Sequence, residues 1–222
     1  MTTAPASLIV HINGWPGTGK LTIARHLAEH VGARLADNHT LINPAEALFA
    51  RGTPLYRSLR ATIRTAVLDH VRRADAGQNF LFTDALSDDE FDSRAFDDYA
   101  RLACDRGARF VAVVLDCSME ENLKRLTRAG RSRAHKLTDP QVLIDLRSRH
   151  VLLKGKCDQL IEFDVTDLGA DEAASVLAER ILQHSISCDL TGLDAVLAER
   201  LLGRIGLGVE LAGIGLKRPA NA

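Results

Sequence analysis

Nine consecutive residues near the start of this 222-residue chain have the types and spacing to hold a phosphate group: Gly14, Trp15, Pro16, Gly17, Thr18, Gly19, Lys20, Leu21 and Thr22. A largely apolar run, Leu8-Ile9-Val10-His11-Ile12, comes just before them, and an amphipathic run, Ile23 to Val31, just after. The sequence therefore predicts a glycine-rich loop between a buried strand and a helix, the context in which a G-x-x-x-x-G-K-[ST] pattern carries meaning. Glycines let the backbone turn tightly and aim successive N–H groups at phosphate oxygens. The following helix offers its positive dipole end to the same anion. Lys20 adds a point charge for the β- and γ-phosphates. The pattern fails only at its last place, where Leu21 replaces the hydroxyl residue that would ligate Mg²⁺, with Thr22 directly after.

The loop resembles that of the P-loop nucleotide and small-molecule kinases, among them adenylate kinase, shikimate kinase, gluconate kinase and chloramphenicol phosphotransferase. Adenylate kinases also lack the hydroxyl directly after the lysine and carry threonine one place later. The resemblance implies ATP and Mg²⁺ as cofactors, with the metal held mainly through ATP oxygens and water. It also implies a three-layer α/β/α fold around a five-stranded parallel sheet of order 2-3-1-4-5.

The chain itself reads as such an alternation of strands and helices. A first helix stops at Gly32, and Ala33 to Ala36 form a short second strand ending at Asp37-Asn38-His39. Pro44 opens a brief helical turn over Ala45–Phe49, which Arg51-Gly52-Thr53-Pro54 breaks. A long helix is expected from about Tyr56 to Ala76, with Leu59, Ile63, Val67 and Val71 as its core-facing stripe. Arg57, Arg60 and Arg64 share one face of it. A third strand, Phe80 to Asp84, leads into an acidic loop over 88–94 and a helix over 94–106. The valine-rich run 109–115 suits a strand buried on both faces. Ser118 with Glu121 reads as a capping box opening a helix to about Ala129. Asp139-Pro140 starts another helix, 160–165 forms the fifth strand, and 171–183 the closing helix.

Sites in such sheets lie beyond the carboxyl ends of the strands, where the loop, Asp37, Asp84 and Asp116 all fall. Asp37 can act as a general base on a substrate hydroxyl, or serve only as a turn residue. The resemblance favours the former, since chloramphenicol phosphotransferase and polynucleotide kinase-like enzymes carry a basic aspartate at this place. It also implies that Asp84 holds Mg²⁺ through water or contacts substrate, where the alternative is a cap on the following helix, and that Arg57 binds substrate; Arg125 can lie over the adenine, because guanidinium groups stack on flat rings. Arg128, Arg131 and Arg133 look like lid arginines, which close over ATP and neutralise the transferring charge. His39 is a further candidate substrate contact. His11, His26, His30 and His70 read as structural or surface residues.

These readings divide the chain into a kinase-like domain at 1–184, with a substrate-binding region at 38–77 and a lid at 125–139, and a C-terminal helical extension at 185–222. The extension offers a surface for covering the core or for a homodimer. The formal charge of −1 and isoelectric point near 6.7 argue against nucleic acid as partner. Four separated cysteines and the absence of a signal-like or membrane-spanning run point to a cytoplasmic protein. The expected activity is transfer of the γ-phosphoryl group of ATP to a small molecule or nucleotide. A polynucleotide-end kinase and an ATP-binding module without transfer are the alternatives, and Leu21 keeps the second open. The acidic pair and the glycine run of shikimate kinase are missing here.

Overall fold

A computed structural model describes residues 7–128 and 137–190. Five parallel strands form one sheet of order β2-β3-β1-β4-β5, as the resemblance implied. They are β1 (Leu8–Gly14), β2 (Ala33–Asp37), β3 (Asn79–Thr83), β4 (Arg109–Asp116) and β5 (Gln159–Asp164). The helices between them are α1 (Lys20–His30), α2 (Asn38–Glu46), α3 (Pro54–Arg72), α4 (Glu90–Arg106), α5 (Met119–Leu126), α6 (Pro140–Arg149) and α7 (Ala170–Leu190). Chain contacts divide the protein into units 1–176 and 177–222. The sheet and every described site residue belong to the first. The expected lid residues 129–136 and the tail beyond 190, with its proposed dimer surface, lie outside the described residues.

Central β1 is buried along its whole length, whereas the outer strands β2 and β5 are only partly covered. This is the expected gradient for a parallel sheet with helices over both faces. The pairing registers fix where the strand ends meet. Asp37 sits opposite Thr83, Gly14 opposite Leu115, and Asp116 opposite Asp164. The phosphate loop and the residues after β2 and β3 therefore emerge at one edge.

On one face of the sheet, Ile9, Phe82, Phe96, Tyr99, Leu102 and Phe110 form a continuous apolar core. His11 lies within that face, fully buried, stacked on Tyr99 at 4.8 Å between ring centres. Asn13 closes the same row and acts as a clamp. Its amide nitrogen donates to the carbonyls of Leu86 (2.9 Å) and Leu153 (3.2 Å), and its oxygen accepts from the N–H groups of Leu86 and Gly14. A buried amide this well paired ties the start of the loop to two distant segments.

Several element bounds differ from the expected ones. Helix α2 begins at Asn38 rather than at Pro44, because the Asp37 carboxylate caps it; proline stands inside a nine-residue helix. Helix α4 begins at Glu90, capped by Asp89, so most of the supposed acidic loop is helical. Helix α3 runs from Pro54, capped by Thr53, and stops at Arg72. Its buried residues are Tyr56, Leu68 and Val71; Leu59, Ile63 and Val67 are only half-buried. Ser118 does cap α5, but Glu121 turns to Arg125 instead of completing the capping box.

Candidate active site

The glycine-rich loop turns by using conformations closed to other residues. Gly17 and Gly19 have φ of 98° and 94°. A Cβ on Gly14 would stand 2.6 Å from the Leu115 carbonyl oxygen, so this strand end passes too close to β4 for any side chain. Thr18 is fully buried and closes the turn, its hydroxyl donating to the Trp15 carbonyl at 3.0 Å. The Lys20 ammonium arches back over the loop to the carbonyls of Gly14 and Trp15, the latter at 2.8 Å. Trp15 does not face the cleft. Its ring is buried beneath the loop with Val114, Leu126, Leu143 and Leu152.

Helix α1 differs from its neighbours in a way that suits an anion. Helices α2 to α6 are capped by Asp37, Thr53, Asp89, Ser118 and Asp139. The N-cap of α1 is Gly19, which has no side chain to give, and no acidic residue stands in the first turn. The amides at this terminus thus open toward the cleft without a side-chain cap, beside Lys20. This is the donor set a triphosphate requires.

The cleft has a volume of about 260 Å³. Its loop side is formed by Pro16, Gly17, Gly19, Lys20, Leu21 and Thr22. Across from these lie Asp37, Asn38, His39, Ile42, Arg51, Thr83, Asp84, Ala85 and Leu137. The structure therefore brings Lys20, Thr22, Asp37, His39 and Asp84 to one cavity. Asp37 is held rigidly there. Its oxygens accept from the His39 N–H at 2.8 Å and the Thr40 hydroxyl at 3.2 Å, so it is a cap and a cleft residue at once.

Asp84 is almost wholly buried and belongs to a network that no motif announced. It accepts from the Tyr99 hydroxyl at 2.7 Å and meets His11 Nε2 at 3.3 Å. Arg64 donates to the Tyr99 hydroxyl at 3.0 Å and to the Ala95 carbonyl at 2.6 Å. Burial alone would raise the Asp84 carboxyl, but His11, Arg64 and Tyr99 outweigh it and hold it below its ordinary value. Burial and the Asp84 charge push the Tyr99 phenol well up, so it remains a donor. Ionised Asp84 thus adds stability that is fully present above the ordinary carboxylate value of about 3.9 and is lost as pH falls through its lower folded value. Asp84→Asn is expected to lower the unfolding free energy at neutral pH by about 1.5–3 kcal/mol. In urea melts at a series of pH values the gap to the parent should narrow below about pH 4. An unchanged gap would mean that another group carries the effect.

Three of the expected arginines do not line the cleft. Arg57 is exposed and does not line the cleft, because α3 turns Arg64, not Arg57, inward. Arg128 is exposed, off the cleft and 3.7 Å from Glu121. Arg125 is tied down, donating to the carbonyls of Thr18 (3.2 Å), Val165 (2.8 Å) and Thr166 (3.1 Å) and pairing with Glu121. Arg131 and Arg133 lie outside the described residues. Asn122 and Arg147 were not singled out from the sequence. Asn122 donates to the Pro16 carbonyl at 2.9 Å, and Arg147 donates to Asn122 at 2.8 Å while lying 5.9 Å over the Trp15 ring. Only their contacts more than a hundred positions away reveal that they brace the loop.

Gly17→Ala would test that bracing. Its Cβ would come within 2.6 Å of the Asn122 amide nitrogen in a backbone conformation alanine avoids. A stability loss of about 1–3 kcal/mol, together with at least a tenfold loss of ATP affinity by calorimetry, is expected. Parental affinity would show that the loop tolerates being displaced.

Residues 10–142 match a protein family described as AAA domain. The chain belongs to that family. No curated protein matches it. Solved structures similar to this AAA-domain chain include a candidate kinase from Chloroflexus aurantiacus J-10-fl, 18% identical, with a TM-score of 0.60 over 82% of this chain and 99% of that one. A sugar kinase from Janibacter sp. HTCC2649 is 22% identical, with a TM-score of 0.51 over 80% and 93% of the two chains. A shikimate kinase from Acinetobacter baumannii, solved with shikimate, is also 22% identical, with a TM-score of 0.51 over 81% and 96%. At these identities the likeness is one of fold: the AAA-domain chain has the α/β architecture of P-loop small-molecule kinases. No helix among its described residues is long and apolar enough to cross a membrane.

Proposed function

We propose that the protein is an ATP-dependent phosphotransferase that moves the γ-phosphoryl group to a hydroxyl or phosphate of a small molecule or nucleotide. The observation that carries this reading is that Lys20, the uncapped start of α1 and Asp37 line a single cleft. A phosphate cradle and a carboxylate base on one cavity are the two parts that in-line phosphoryl transfer needs from a protein.

In this reading the loop amides and Lys20 bind the β- and γ-phosphates and offset the charge that develops on the oxygens. Asp37 takes the proton of the acceptor hydroxyl as its oxygen bonds to the γ-phosphorus. The bond from that phosphorus to the β–γ bridging oxygen breaks, and ADP leaves. Thr22 is placed to bond a phosphate oxygen or a water. Among the described residues no group of three or more His, Cys, Asp or Glu side chains converges to hold a metal. That suits Mg²⁺, which keeps several waters and binds through phosphates with one or two carboxylates; Asp37 and Asp84 are the carboxylates in reach of the cleft. When bound, Mg²⁺ screens the phosphate charge. Arg125 would border the adenine, and Arg128, Arg131 and Arg133 would close over the phosphates as a lid.

The test is transfer of labelled γ-phosphate from ATP across sugars, nucleosides, nucleotides, hydroxy acids and aminoglycoside-type compounds, with calorimetry of ATP binding in magnesium as a separate arm. Label moving to an acceptor supports the reading. Absence of ATP affinity overturns it.

A further inference from the structure

Resting on that kinase reading, we infer that the acceptor is a hydroxylated molecule without an acidic group: a neutral or amine-bearing polyol, not a carboxylic acid or a phosphate ester. The inference comes from the charges around the half of the cleft that faces the phosphate loop.

That half carries the Asp37 carboxylate, held by the His39 N–H and the Thr40 hydroxyl, and the edge of buried Asp84, which is itself bonded to Tyr99 and His11; Asn38, His39 and Thr83 lie between them, with Ile42, Ala85 and Leu137 as apolar surface. Carboxylates accept from hydroxyl and ammonium donors and repel a second carboxylate or phosphate. An acidic acceptor would therefore need a guanidinium facing it. Among the described residues the acceptor half has one, Arg51, and it is turned to an ion pair with Glu46. The arginines of α3 do not replace it. Arg57 is exposed and off the cleft, and Arg64 turns away beneath it to Tyr99 and the Ala95 carbonyl. Neighbouring charge is thus arranged to reject anions at the acceptor end while the loop end attracts them. Such an opposition keeps a second phosphate-bearing or acidic molecule out of the acceptor position and gives specificity by repulsion as well as attraction.

The experiment compares two acceptor groups in the ATP transfer assay, with kcat/KM as readout. One group holds neutral and aminated hydroxyl compounds: hexoses, amino sugars, aminocyclitols and nucleosides. The other holds hexonic and hexuronic acids, shikimate, sugar phosphates and nucleotides. The best acceptors should come from the first group, exceeding every acid by at least tenfold. Glu46→Gln, which releases Arg51 from its partner, should narrow that ratio several-fold in favour of acids. An acid or phosphate ester ranking first overturns the inference and leaves the kinase reading standing. So does a chain that binds ATP but transfers to no compound of the first group. Loss of ATP binding in the calorimetric arm is a different failure, which overturns the kinase reading and this one with it.

Discussion

Replacing Lys20 with alanine is expected to lower phosphoryl transfer by about 10³-fold or more while leaving the protein folded. The ammonium lies over the loop, bonded to the Gly14 and Trp15 carbonyls, with the cleft on its other side. Removing its bonds to these carbonyls, at a partly exposed position, costs the fold about 1–3 kcal/mol. The chemistry loses the fixed positive charge at the point where negative charge builds up. A rate assay beside a urea melt separates the two effects. Retention of parental activity would remove the loop from the mechanism.

The second large effect is expected at Asp37. Asp37→Asn should lower kcat by about 10²–10⁴-fold. This substitution is unusually clean here, because Asp37 also caps α2 and asparagine caps a helix about as well as aspartate. The bond from the His39 N–H can be kept, and the melting transition should hardly move. Asp37→Ala would lose the cap as well, at a cost of about 1 kcal/mol. A variant with asparagine that turns over at the parental rate would assign Asp37 to capping alone and move the base elsewhere.

The dual role of Asp37 also shows what could be read from the chain and what could not. The phosphate loop was legible because its signal is local: glycines and a lysine at fixed offsets between a strand and a helix. Strand order followed from the resemblance, and the placing of Asp37 at a strand end followed from the short run before it. Helix α2 was misplaced because Pro44 reads as a helix start, whereas the Asp37 cap, seven positions earlier, decides where the turn begins. Arg64 sits in a row with Arg57 and Arg60, and that spacing does not say which of the three turns inward. Arg64 is drawn inward by Tyr99, thirty-five positions away, and lies 4.5 Å over that ring. Asn13, Asn122 and Arg147 escaped for the same reason. A buried polar residue has no periodic signature, and its partners are distant in sequence.

One feature of the loop reaches beyond catalysis. Five helices carry their own side-chain caps, and α1 is left to be completed from outside. Under the proposed phosphotransferase function, nucleotide would be a component of the folded state as well as a reactant. Its presence at a hundredfold excess over Kd would add about 2.7 kcal/mol to the resistance of the protein to heat. In a cell the lifetime of this chain would rise and fall with the supply of nucleoside triphosphate.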